Sequence, residues 1–111
     1  MSRTLDEFLA SYFKDDISTD TPESDIAVGV AAVVVLVNNP RRVRAELTNT
    51  GPTTIALRRD NTVTPTTGDI VAPGETWEMN WLTGLDSTMD PIFAISSGAG
   101  GLMHVRETLL I

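Results

Sequence analysis

The feature that most constrains this chain is its punctuation. Turn-forming clusters recur along the second two-thirds of the sequence: Asn38-Asn39-Pro40, Asn49 to Pro52, Asp60 to Asp69, Pro73-Gly74, residues 83–90 and Ser96 to Gly101. The runs between them are too short for helices and rich in alternating or β-branched residues. Val43, Ala45 and Leu47 alternate with Arg42, Arg44, Glu46 and Thr48, and Trp77, Met79 and Trp81 alternate with Thr76, Glu78 and Asn80. Residues 27–37, AVGVAAVVVLV, are apolar at both parities, as in a strand covered on both faces. Residues 41–48 and 53–59 read as the clearest hairpin, joined by the turn at Asn49 to Pro52. Residues 70–71, 91–96 and 102–110 supply the remaining strands. Six or seven short strands separated by turns at intervals of about 8–12 residues predict an all-β chain, an antiparallel sandwich or barrel.

The amino end departs from this rhythm. Over residues 4–13, Leu5, Phe8, Leu9, Tyr12 and Phe13 fall on one helical face, and Thr4 with Glu7 can form a capping box. Residues 15–25, DDISTDTPESD, read as an acidic linker. The expected organisation is therefore a helical arm and linker over 1–25 and a β domain over 26–111. An isolated helix of ten residues is marginal in water. The gain from burying its apolar stripe is close to the entropy lost in ordering it. Such an arm is stable only on a complementary surface, its own sheet or a neighbouring subunit. The terminal Leu109-Leu110-Ile111 is apolar at both parities and likewise wants cover on both faces. With residues 27–37 it makes more two-sided apolar strand than a small sandwich easily buries, which points to a homo-oligomer or a docked partner.

Composition removes several function classes. The chain has no cysteine, which excludes disulfides and thiolate metal sites. Its net charge of −7 is uneven: residues 1–26 hold two basic and seven acidic groups, a net −5. A chain so acidic is a poor partner for phosphate backbones, so no nucleic-acid role is expected. The longest apolar run, Ile26 to Val37, is shorter than the roughly 20 residues a spanning helix needs. With no signal-peptide pattern at the start, no membrane partner is expected either.

Candidate chemistry is sparse. His104 is the one histidine, and no GxSxG-type nucleophile motif accompanies it, so a structural or surface role is the simpler expectation. The loop aspartates Asp60, Asp69, Asp86 and Asp90 do not follow a calcium-loop pattern. Gly98 to Gly101 lacks the Lys-Ser/Thr end of a phosphate loop and reads as a hairpin connection. Trp77 and Trp81 lie on the apolar side of their strand, which favours packing over sugar stacking. No catalytic, cofactor-binding or metal-binding residue is assigned. The hairpin reading puts Arg42, Arg44 and Arg58 on one face, a patch suited to an acidic partner. The expected interface residues are Leu5, Phe8, Leu9, Tyr12, Phe13, Arg42, Arg44, Arg58, Leu109, Leu110 and Ile111.

Three stretches also carry a likeness: RRVRAELTNTGPTTIALRRD, then APGETWEMNW, then PIFAISSGAGGLMHVRE. Over residues 41–108 this resembles small β-sandwich structural proteins of tailed bacteriophages. That resemblance implies a non-enzymatic virion subunit, a capsid decoration or head–tail or tail adaptor protein, contacting other virion proteins. The acidic amino-terminal arm is not part of that pattern. A carbohydrate-binding β-sandwich module used in host recognition is the alternative.

Overall fold

The structure is a computed structural model, and it describes residues 19–80 and 90–110. Nine strands form among them: β1 (Thr19–Asp20), β2 (Glu23–Val28), β3 (Val33–Leu36), β4 (Arg42–Asn49), β5 (Ile55–Arg58), β6 (Asp69–Val71), β7 (Thr76–Asn80), β8 (Ile92–Ser96) and β9 (Gly101–Leu110). They make two antiparallel sheets. In the first, β1 and β2 follow one another along one side of β9, and the order continues to β4 and β7. In the second the order is β3-β8-β5-β6. The expected all-β antiparallel fold is present, and of the two forms expected it takes the sandwich. From β2 to β9 the chain passes from sheet to sheet at every step except β5 to β6. Eight strands nested in this way are a jelly roll. The helix expected over 4–13 lies outside the described residues.

The core fills the space between the sheets. Ala45 and Leu47 of β4, Met79 of β7 and Met103 and Val105 of β9 meet Leu36, Ile55, Leu57, Ile92 and Ala94 from the opposite sheet, all buried. Ala45, Leu47 and Met79, read from alternation as the apolar sides of β4 and β7, are thus inward in the fold. Trp77 is half-buried against this core and Met79 is fully buried. Trp81 lies outside the described residues.

Three connections differ from expectation. Residues 27–37 are not one strand covered on both faces. They bend at Val30 and Ala31, so that β2 joins one sheet and β3 the other. A thin sandwich has no middle layer to hide a two-sided strand, so the chain gives each sheet a shorter strand with one inward face. The bend is held by the Ser96 amide, which donates to the Gly29 carbonyl at 2.8 Å. The segment expected as linker contributes β1 and the first half of β2, paired with β9. Last, β4 and β5 do not form a hairpin; they sit in different sheets and face each other across the core. The buried Asn49 side chain fixes that corner, donating to the carbonyls of Thr53 (2.7 Å) and Val71 (2.9 Å). The glycine-rich segment before β9 is a crossing between sheets rather than a hairpin loop, with Gly100 at φ +88°. The Pro73-Gly74 turn forms as read: Glu75 N–H donates to the Ala72 carbonyl and Gly74 has φ +84°, the type II pattern.

Candidate interaction surface

The two outer faces of the sandwich have opposite chemistry. On the first sheet the cross-strand rows are polar. Glu23, Arg106, Glu46 and Glu78 form one row across β2, β9, β4 and β7, and Asp25, His104, Thr48 and Thr76 form the next. Glu46 and Glu78 stand directly opposite each other, which is repulsive in isolation. Arg44 resolves the clash by pairing with both, with Glu78 at 3.0 Å.

His104 lies between two carboxylates of β2. Its Nδ1 is 2.8 Å from Asp25 Oδ1 and its Nε2 is 3.1 Å from Glu23 Oε1. A neutral imidazole has one N–H to donate, so satisfying both bonds requires the imidazolium. The hydrogen bond to Asp25 first, and that to Glu23 second, push the His104 pKa above its ordinary value. The group is solvent-exposed and its acceptors are carboxylates, an arrangement that fastens strands.

The outer face of the second sheet is apolar. Phe93 stands between Val34 and Arg58, and Ala56 between Ile95 and Ile70. Val63, from the loop after β5, covers Ala56 and Ile95 to make a second small cluster with Phe93 packed against it. The cover is incomplete. Val34 is 42% exposed, and on either side of β3 Val30 is 68% and Val37 63% exposed. Val34 lies on β3, which is an edge strand, and Val30 and Val37 lie in the segments that flank it.

The residues expected at the interface divide as follows. Arg42 is not part of a surface patch: it is buried, its Nε donates to Glu107 Oε1 at 2.8 Å, and its other nitrogens reach the carbonyls of Asp90 (3.1 Å) and Val37 (2.5 Å). A shift in register between Arg42 and Arg44 breaks the alternation, so Arg42 and Val43 are both buried. Arg44 lies on the polar outer face. Arg58 belongs to the other sheet and pairs with Asp60 at 3.5 Å. The expected arginine patch is therefore split three ways: the register shift parts Arg42 from Arg44, and Arg58 lies on a strand that does not neighbour theirs. Leu109 and Leu110 are half-buried, paired through β9 with β1 and β4. Leu5, Phe8, Leu9, Tyr12, Phe13 and Ile111 lie outside the described residues. The exposed valines beside β3 are not among the expected interface residues; their signal in the sequence is the two-sided apolar run 27–37.

No protein-family model matches this chain, and no curated protein matches it. Among solved structures, it is similar to one of Bacillus endospore appendages, described as a novel family of disulfide-linked pili. The TM-score is 0.52 at 16% identity, over 85% of this chain and 86% of that one. A de novo designed double-stranded β-helix gives a TM-score of 0.45 at 20% identity, over 79% of this chain and 97% of that one. At these identities the first likeness concerns the fold alone, and the second carries no argument.

Proposed function

We propose that this chain is a non-enzymatic structural subunit that works by protein–protein contact in a homo-oligomeric assembly, and that the assembly is a tailed-phage virion. The observation that carries the first part is the set of exposed valines at the β3 edge: Val34 on the strand, with Phe93 beside it, and Val30 and Val37 in the segments that flank it. Exposed apolar edge strands are a hazard that free-standing domains blunt with charge or proline. Cover by another subunit removes the hazard and supplies binding energy. The virion setting, as a capsid decoration or head–tail or tail adaptor, rests on the sequence resemblance over residues 41–108 and on the frequent use of jelly rolls in viral capsids. The amino-terminal stripe Leu5, Phe8, Leu9, Tyr12 and Phe13 is the second contact element of this reading.

A pilus-type filament is the second reading, favoured by the fold shared with the endospore appendage. This chain has no cysteine. A filament built from it would be held by non-covalent contacts, unlike the disulfide-linked pili of that description. Sugar binding gains little support, since Trp77 packs against the core and donates its indole N–H to Asp69 at 2.9 Å.

The test is size-exclusion chromatography with light scattering on the full chain and on the double variant Val34→Lys/Val37→Lys. Both positions are exposed, so folding stability should change by no more than about 0.5 kcal/mol each. The wild type is expected to self-associate and the variant to run as a folded monomer. A wild type that stays monomeric at its highest soluble concentration, or a variant that assembles equally well, overturns the reading.

A further inference from the structure

We propose that His104 is a protonation-dependent latch that fastens the edge strand β2 to the first sheet. The geometry carries it. Asp25 sits directly across from His104 in the β2–β9 register, and Glu23 two residues earlier reaches the other ring nitrogen. One side chain of β9 thus holds two side chains of β2 at once, and only its cationic form can donate to both. On the other side β4 presents the uncharged Thr48 opposite the ring and Glu46 in the next row, while β9 itself contributes Arg106. Arg106 faces Glu23 and Glu46 across the strands, so it moderates the acidic surroundings without accepting a proton. When the imidazolium loses its proton, one of the two bonds loses its donor and both carboxylates lose the attraction of the ring's positive charge.

The sign follows from the direction of the shift. Because the folded chain holds the proton more tightly than an ordinary histidine does, the latch is fully closed below the unfolded value, about pH 6.5. It is lost as pH rises through the raised folded-state value. The consequence is local. β1 and β2 are the edge of the first sheet, so pH sets how firmly that edge is held, while β4, flanked by β9 and β7, is unaffected.

Amide hydrogen exchange on the full chain, corrected for the intrinsic pH dependence of exchange, tests this. The protection of β2 amides relative to β4 amides should fall about two- to fivefold as His104 deprotonates, the scale of an exposed ion pair. His104→Gln, which cannot titrate, should show a flat ratio. Asp25→Asn keeps the histidine and should lower its NMR titration midpoint while flattening the same ratio. An unchanged pH profile in His104→Gln, or a His104 midpoint at or below the ordinary value in the wild type, overturns the proposal.

Discussion

Arg42 shows how a single residue can invert its expected role. Strict alternation along RVRAELTN puts Arg42 outward with Arg44 and Glu46, yet it is 1% exposed. The register shift beside β9 turns it inward at the end of the sandwich. There its guanidinium ties β9, through Glu107, to the carbonyls of Val37 after β3 and Asp90 before β8. A planar group with five donors suits this task, and lysine would not replace it. Removing it leaves Glu107 and two carbonyls short of a donor. Arg42→Met should therefore cost about 3–5 kcal/mol in urea melts. Replacing both members, Arg42→Met with Glu107→Leu, should recover much of that loss, because an apolar pair needs no compensation. A single variant costing less than about 1 kcal/mol would show that the buried pair does not hold the sheets together. A register shift leaves no mark in the order of polar and apolar letters, so alternation places Ala45 and Leu47 correctly and Arg42 on the wrong side.

At the scale of elements, facing was legible and pairing was not. Ala45, Leu47 and Met79, read from alternation as the apolar sides of β4 and β7, do face the core, because period-two alternation is a local property. Whether β4 lies beside β5 or across the core from it leaves the same alternation in both strands. The decision is made by Asn49 and by the length of the corner, and a hairpin is only the nearest local solution. The same holds for the expected linker over 15–25: its acidity and Pro22 suggest a linker, although an edge strand, which β1 and the start of β2 form there, tolerates both. One glycine reports directly on that edge. A Cβ on Gly101 would lie 2.4 Å from the Val28 carbonyl oxygen and within about 3 Å of the Ser96 side chain. Gly101→Ala must push β2 off β9, at a cost of about 1–3 kcal/mol. Gly74→Ala meets no atom of the described residues within 4 Å and carries the backbone penalty of φ +84°, about 1–2 kcal/mol. Thermal melts of the two variants, with exchange measured at β2, check the contrast. Rapid β2 exchange in Gly101→Ala but not in Gly74→Ala is expected; indistinguishable β2 exchange would mean that the edge is not packed as described.

For the whole molecule, the boundary between arm and body decides which parts fold and which parts assemble. A cut at residue 25 looks harmless from sequence, since the arm reads as helix and linker. In the fold that cut removes β1 and half of β2. A longer cut through residue 28 also removes Val28, 1% exposed, and Ile26 from the core side of β9. Burial of Val28 alone contributes about 1.5–3 kcal/mol, against a total stability of about 5–15 kcal/mol for a domain of this kind. Loss of β2 also bares a full edge of β9, a template for aggregation. Deleting residues 1–18 should leave a cooperative two-state melt with a midpoint close to that of the full chain. Deleting residues 1–28 should leave a chain that aggregates or melts without cooperativity. The first deletion also separates the two proposed contacts. If the amino-terminal stripe bridges subunits, the 1–18 deletion should weaken self-association in light scattering while keeping the fold, and adding Val34→Lys/Val37→Lys should abolish what remains. A deletion that assembles with unchanged affinity would assign the contact to the β3 edge alone. A deletion that unfolds would make residues 1–18 part of the domain's own stability and remove them from the assembly argument.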